Sequence, residues 1–450
     1  MDITSLIAKY DRAVPRYTSY PTAPHFSPAI DGATYAGWLR ALPESAGLSL
    51  YLHVPFCASL CRFCACNTTV VNRPEPLEVY GITLMAEIDL IADTIGGPRT
   101  VRHIHWGGGT PTQLPAETML AVMRRVRARF NVAPDAEIAV EIDPRTLGAD
   151  SLDALAAMGT NRVSLGVQDF DERVQQAINR HQSLALTEDC AARLRAAGID
   201  AINLDLIYGL PYQTTHGVIE TAVQALGLKP RRAAVFGYAH VPWMKKHQSL
   251  IPEASLPNVA ERFAQRQAIE DVFLANGYDS IGLDHFAVSG DSLAQAAANS
   301  RLRRNFQGYT TDEAPVLLGL GASSIGALPL GYAQNHTAVP AWRDAVRHGV
   351  PPIARGIALT AEDRLRRAVI EQVMCHFTVD PFELAIRTGA DPSVLGDAAP
   401  ALRDLEQDGL VARDGDRITV TSRGRPFVRA VAAAFDAYLA RGVARHSVAV

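Results

Sequence analysis

Short apolar and β-branched runs alternate with helix-patterned stretches along most of this 450-residue chain, and that alternation restricts the fold more than any other feature. The strand candidates are 48–54 (LSLYLHV), 101–106, 137–142, 162–167, 201–208, 233–239 and 279–285. Helical patterns such as 76–95, 116–130 and 258–277 lie between them. Repeated strand–helix alternation predicts a parallel α/β sheet, open or closed into a barrel. Residues 1–35 read as polar and irregular. Pro15, Pro21, Pro24 and Pro28 recur there, and 16–26 (RYTSYPTAPHF) cannot be helical at that spacing. The composition changes near 340–360, and 401–435 reads as a helix, a tight hairpin and another helix, the order of a winged-helix element.

Composition narrows the function classes. Hydrophobic residues make up 48% and charged residues 20%, an ordinary globular balance. Lys plus Arg is 43 against 47 for Asp plus Glu, a net charge of −4, so no bulk basic field offers itself to nucleic acid. The winged-helix-like tail is therefore better read as a packing or lid element than as a DNA reader. No apolar run reaches about 18 residues, so no membrane helix is expected. The opening MDITSLIAKYDR carries charge where a signal peptide needs its apolar core, which points to the cytoplasm.

Six cysteines are present, and four of them, Cys57, Cys61, Cys64 and Cys66, fall within ten residues. Without an export signal such a cluster reads as metal or redox chemistry rather than a disulfide framework. Cys190 and Cys375 sit in helical patterns and are expected to be buried apolar fillers. The spacing Cys57-x3-Cys61-x2-Cys64 lets one loop wrap an iron–sulfur cluster, leaving one iron open if three thiolates bind. Structural zinc usually needs two separated pairs, and no second pair exists. A redox disulfide relay is the remaining alternative. The other polar residues of note fall at strand ends: Gly107–Pro111 (GGGTP), Glu141 and Asp143, Gln168 and Asp169, Asp205 and His240. In parallel α/β folds the carboxyl ends of strands carry function, so these ends predict one shared face.

The loop with Phe63 before its third cysteine, followed by GGGTP, resembles the radical S-adenosylmethionine (SAM) superfamily. YLHVPFCASLCRFCACN, HWGGGTPT, EIDP, SLGVQDF, NLDLIYGLP, FGYAH, GLDHFA, NFQGYTT and RYTSYPTA together resemble the family of oxygen-independent coproporphyrinogen III oxidases, across essentially the whole chain. One departure is Ala65, where the family pattern has Gly.

The resemblance implies a partial (β/α)6-type barrel with parallel strands and a smaller, mostly helical C-terminal domain. The chain is expected to divide into 1–35, 36–345 (the barrel) and 346–450, with 1–35 either a lid over the substrate or, more plainly, a surface-wrapping arm without function. The resemblance also implies a [4Fe-4S] cluster on Cys57, Cys61 and Cys64, with Cys66 a non-ligating cysteine needed for activity. Two SAM molecules are implied. Tyr51, Gly108, Glu141 and Ile325 match the first, and Phe63, Gly109, Thr110, Gln168, Arg180, Asp205 and Ala239 match the second. The implied reaction is oxidative decarboxylation of the ring A and B propionates of coproporphyrinogen III to vinyl groups by a 5′-deoxyadenosyl radical, giving protoporphyrinogen IX. An electron donor and an electron acceptor are implied partners. A monomer without nucleic-acid or membrane partners is expected.

Each residue also has a plainer reading. Asp205 could cap a turn, Arg180 could pair at the surface, and Glu141 could be an interior salt-bridge partner. Tyr51 and Phe63 could be core aromatics, and His53 is as readily a hydrogen-bonded core residue as a neighbour of the cluster. A substrate with four propionates calls for cationic and hydroxyl donors. Arg16, Tyr17, Thr18, Ser19 and Tyr20 are one candidate set, and 305–311 with Arg303 and Arg304 is the second. Related scaffolds serve as haem chaperones and as SAM-dependent methyltransferases. Cys66 and the long N-terminal segment favour the oxidase over the chaperone.

Overall fold

The computed structural model describes residues 2–439. Twelve strands form the main sheet: β1 (Leu48–Val54), β2 (Thr100–Gly108), β3 (Asn131–Ile142), β4 (Arg162–Gln168), β5 (Ala201–Tyr208), β6 (Arg232–Gly237), β7 (Tyr278–Ile281), β8 (His285–Val288), β9 (Val316–Leu320), β10 (Ile325–Leu328), β11 (Gly331–Asn335) and β12 (Ile353–Ala358). Their order is β12-β11-β10-β9-β1-β2-β3-β4-β5-β6-β8-β7. β1 to β6 run parallel in sequence order, and β9 adds in parallel outside β1. This is the partial parallel barrel that the alternation and the resemblance predict, flanked by antiparallel strands at both edges.

The strand sequences explain the two-faced wall. On β1, Leu48, Leu50, Leu52 and Val54 are buried in the main core, beneath the outer helices. Successive side chains alternate faces, so Ser49, Tyr51 and His53 turn inward. The helix Pro74–Ile95 buries Leu77, Tyr80, Leu84, Ile88, Ile91 and Ile95 at helical spacing, begins with Pro at its first position and ends at Gly96 with φ +79°. Cys190 and Cys375 are both buried, as expected.

Three expectations are corrected. Residues 279–285 are not one strand: Gly282, at φ +60°, turns the chain so that β7 and β8 pair as an antiparallel hairpin. The first 35 residues are not wholly irregular. Asp2 caps a helix over Ile3–Tyr10 by accepting from Ser5 N–H at 2.8 Å, and Leu6, Ile7, Tyr10, Val14, Tyr17 and Tyr20 share a core with the C-terminal helices. The sheet also runs past residue 345, because β12 pairs with β11 out to Ala358. Beyond it, the helix Ala361–His376 opens with a capping box of Thr360 and Asp363. The expected helix–hairpin–helix follows as Ala399–Gln407, Val411–Asp414 with Arg417–Val420, and Val428–Ala433, and Thr378–Val379 adds a third strand to the hairpin.

Candidate functional site

The cysteine loop leaves β1 and is closed at its base by a short parallel pairing of Phe56–Cys57 with Thr69–Val70. Outside contacts hold the loop. Gln248, fully buried, donates Nε2 to Phe63 O (2.8 Å) and Ala239 O (3.2 Å). His247 Nε2 lies 2.7 Å from Cys64 O, and Lys245 Nζ donates to Cys66 O at 2.7 Å. Cys57, Cys61 and Cys64 open onto one cavity of about 770 Å³. Phe63, Cys66, Gly108, Gly109, Thr110, Glu141, Gln168, Arg180 and Asp205 line the same cavity. Residues from five strand ends thus converge, whereas Asp169 and His240, expected on the same face, do not line the cavity: Asp169 is buried against Gln213 and Thr221, and His240 lies against Tyr238. Three predicted residues, Tyr51, Ala239 and Ile325, do not line it. Tyr51 pairs with Gly319, which lacks the side chain that would collide with the Ile325 backbone, and Ala239 meets the cysteine loop through Gln248.

The thiols differ in electrostatic setting. Thr110 Oγ1 donates toward Cys57 Sγ (3.6 Å), yet burial pushes the Cys57 thiol up to about 11. Arg145 Nη2 and Arg180 Nη1 each lie 3.6 Å from Cys61 Sγ. Cys66 lies next to Cys64, and hydrogen bonding from it lowers the Cys64 thiol. Cys66, which is exposed, is itself raised by that same contact. Among the described residues no three His, Cys, Asp or Glu side chains converge on a point as a single ion requires. Cys57, Cys61 and Cys64 all line the same cavity, and three thiols on one short loop are a donor set of the kind that holds an iron–sulfur cluster.

The glycine turn is a matter of clearance. A Cβ on Gly107 would stand 2.6 Å from Glu141 Oε1, one on Gly108 (φ +112°) 2.5 Å from the His53 ring, and one on Gly109 2.5 Å from Phe56 O. Gly108 N–H donates to Glu141 Oε2 at 3.1 Å, and Glu141 Oε1 lies 3.0 Å from His105 Nε2. Burial works to raise Glu141, but His105 and the Gly108 amide outweigh it and hold the carboxyl below its usual range. Asp205 behaves oppositely. Burial and the nearby Glu141 charge push it up to about 7, although Ser164 Oγ lies 3.1 Å from both its oxygens. Gln168 ends β4 at φ +69°, after a register shift, a backbone state uncommon away from glycine.

The plainer readings resolve individually. Arg180 is no surface residue: it is buried, chelates Asp143 at 3.3 Å and donates to Gly166 O at 2.5 Å, and its Nε has no partner. Asp205 caps no turn. His53 is a hydrogen-bonded core residue, 3.0 Å from Tyr51 Oη and 3.1 Å from Ser323 Oγ, and burial lowers its pKa to about 4. Sequence reasoning missed Arg145, whose Nη2 donates to Asp143 Oδ2 at 2.6 Å beside Cys61. It also missed the polar floor of the barrel. Arg162 bonds Glu137 (2.9 Å) and Asn203 (3.1 Å), and Arg232 bonds Asp291 (2.6 Å). Period-two alternation in β3 to β6 was the available signal. The floor bounds an inner cavity of about 1040 Å³ that shares Glu141, Ser164 and Asp205 with the cysteine cavity.

The candidate substrate donors separate. Tyr17 Oη donates to Asp436 (3.1 Å) and Tyr20 Oη accepts from Ala437 N–H (3.1 Å), so both hydroxyls anchor the N-terminal segment. Thr18 and Ser19 line a smaller cavity with Arg304 and Arg367. Arg303 turns outward to Glu371 at 3.5 Å.

A model of the radical SAM superfamily matches residues 51–225, and a model of the HemN C-terminal domain matches 359–427. The chain is 51% identical over 440 residues to the oxygen-independent coproporphyrinogen III oxidase of Bradyrhizobium diazoefficiens, covering 98% of each protein. It is 45% identical to that of Paracoccus denitrificans, over 95% of each. The solved coproporphyrinogen III oxidase (HemN) of Escherichia coli, described as a radical SAM enzyme, superposes with a TM-score of 0.90 at 37% identity, over 95% of this chain and 100% of that one. The chain belongs to the radical SAM superfamily and, within it, to the family of oxygen-independent coproporphyrinogen III oxidases.

Proposed function

We infer that this chain is a radical SAM oxidoreductase that decarboxylates two propionates of coproporphyrinogen III, on rings A and B, to vinyl groups, giving protoporphyrinogen IX. The observation that carries the reading is the convergence of three thiols, a glycine turn and two differently tuned carboxylates in one cavity. It stands in a chain similar along 98% of its length to a named oxidase. The family implies a [4Fe-4S] cluster and SAM as cofactors. Bound in the loop, these would supply one-electron chemistry, a 5′-deoxyadenosyl radical capable of abstracting hydrogen from a propionate.

The chain's own residues bind and orient. Cys57, Cys61 and Cys64 ligate the cluster, with Thr110, Arg145 and Arg180 directed at the Cys57 and Cys61 sulfurs. Cys66, two residues from the last ligand, does not ligate but is required for turnover. Two SAM molecules are held. Tyr51, Gly108, Glu141 and Ile325 serve the first. Phe63, Gly109, Thr110, Gln168, Arg180, Asp205 and Ala239 serve the second. The ionised Glu141 accepts from an ammonium or hydroxyl. Asp205, poised near pH 7, can donate or accept at ribose hydroxyls. Arg180 has an unpaired Nε for a carboxylate.

The chain works in three parts: residues 1–35 as a lid, the barrel to Ala358, and the C-terminal domain. Arg16 supports the lid, because it reaches Gly237 O at the barrel mouth. The same reading assigns a separate electron donor and acceptor, a monomer without nucleic-acid partners, and a cytoplasmic place. Among the described residues no helix is long and apolar enough to cross a membrane. Anaerobic turnover tests the function: coproporphyrinogen III, SAM, reductant and acceptor with the reconstituted protein, products read by mass spectrometry. Protoporphyrinogen with 5′-deoxyadenosine and methionine, absent in Cys57→Ser, is the expected result. A reducible cluster with no decarboxylation would overturn it.

A further inference from the structure

The charge at the carboxyl ends of β5 and β6 is unbalanced. Arg16, from the N-terminal segment, donates Nη2 to Gly237 O at 2.6 Å. Arg262, from the helix Val259–Ala275, donates to the next carbonyl, Tyr238 O, at 3.1 Å. Its guanidinium lies close over two glycines, 3.0 Å from a Cβ built on Gly209 and 3.4 Å from one on Gly237. Arg304, from the Arg303–Asn305 strand, has only 4% of its side chain exposed, lies over the Tyr309 ring at 4.3 Å and donates to Arg16 O at 3.3 Å. Three separate parts of the chain thus bring guanidinium groups together.

Asp284 is the acid that faces them. It stands 3.9 Å from Arg304 Nη1, and its Oδ1 is already 2.7 Å from His285 Nδ1. The Nε and Nη1 of Arg304 and the Nε of Arg262 are buried with no hydrogen-bond partner. Arg429 adds a fourth guanidinium to the same field: burial, then the Arg16 charge, lowers it to about 10. Arg16 itself is solvent-exposed, so its guanidinium is open to a ligand, and the Arg304 and Arg262 charges stand against its own. Clustered cations with unused donors are costly inside a protein unless an anion joins them.

We propose that Arg16, Arg262 and Arg304 form a carboxylate subsite that grips propionates of the porphyrinogen that are not reacting. The guanidinium fork matches a carboxylate in shape as well as charge. The place fits: Gly237 lies two residues before Ala239, which Gln248 ties to Phe63 of the cysteine loop. A substrate anchored here presents another edge to the cofactor cavity. The proposal rests on the oxidase reading and adds where the substrate is held.

The test uses the reconstituted holoenzyme and Arg16→Gln, Arg262→Gln, Arg304→Lys and Arg303→Gln. Read-outs are KM for coproporphyrinogen III, and Kd for coproporphyrin III and for its tetramethyl ester by fluorescence quenching. Arg16→Gln and Arg262→Gln should raise KM and the free-acid Kd by about tenfold or more, one charge-assisted hydrogen bond each. Ester binding, iron content and SAM binding should stay as in the parent. Arg304→Lys keeps the charge but loses the fork and should fall between. Arg303→Gln, which removes the outward pair with Glu371, should match the parent. Unchanged KM and Kd in Arg16→Gln and Arg262→Gln, or equal losses for acid and ester, would overturn the subsite and leave the oxidase reading intact. A parent protein that does not turn over coproporphyrinogen III would end both.

Discussion

Glu141 couples the third barrel strand to the glycine turn after the second: its Oε2 accepts the Gly108 N–H at 3.1 Å while Oε1 lies 3.0 Å from His105 Nε2. Gly107 makes this possible, because a Cβ there would stand 2.6 Å from the carboxylate. Gly107→Ala should displace both the turn and Glu141. Turnover is expected to fall by about a hundredfold, the usual scale for a displacement near 1 Å, with iron content as in the parent. Turnover and iron measured on one preparation check this.

The four clustered cysteines should divide three to one. Cys57→Ser, Cys61→Ser and Cys64→Ser each should abolish iron and sulfide incorporation. Cys66→Ser should keep both and lose turnover. Loss of iron in Cys66→Ser to the extent seen in Cys57→Ser would show that it ligates.

Gln248 holds the cysteine loop from behind, and Gln248→Ala leaves the Phe63 carbonyl and the Val241 N–H, now 2.6 Å from Gln248 Oε1, without that partner. Each buried orphan costs about 1–3 kcal/mol. Thermal unfolding several degrees below the parent, and faster loss of cluster absorbance, are expected. A parent-like melt with a parent-like cluster lifetime would show that the loop needs no such support.

Glu87 makes stability depend on pH. It is almost fully buried, accepts from Gly321 N (2.7 Å), Asn335 Nδ2 (2.6 Å) and Trp342 Nε1 (3.0 Å), and burial still pushes it up to about 7. Its folded pKa exceeds the unfolded value near 4.5, so between those values the folded state holds the extra proton. Stability therefore declines as pH rises through that window, by about 3 kcal/mol in all, and levels off above it. Melting curves from pH 5 to 7.5 should show the decline, and Glu87→Gln should flatten it.

Deleting residues 1–23 is a poor test of the lid. It removes Leu6, Ile7, Tyr10, Val14, Tyr17 and Tyr20 from a core shared with Val369, Val373 and Phe427. The truncated protein should lose stability by well over about 5 kcal/mol, at about 1.5–3 kcal/mol per buried side chain. Limited proteolysis should cut its C-terminal domain first. Substitution at Thr18 or Ser19, with KM as the read-out, tests the lid without that damage.

The cysteine spacing, the glycine turn and the alternation of strands were legible because they are local: a few neighbouring residues set loop length, clearance and hydrophobic period. From them the sequence alone determined the parallel barrel, the shared strand-end face and the family. Tertiary structure decided what depends on distant partners. Arg303 and Arg304 are neighbours in the chain, yet one meets Glu371 outside and the other meets Tyr309 and Asp284 inside. Arg145 and Gln248 carry no local signature, since their roles arise from contacts with Asp143, Cys61, Phe63 and Ala239. Whether Asp205 sits near pH 7 while Glu141 stays ionised likewise follows from burial and the folded neighbours. Charge balance and desolvation are sums over the folded surroundings, and only the packed chain fixes their terms.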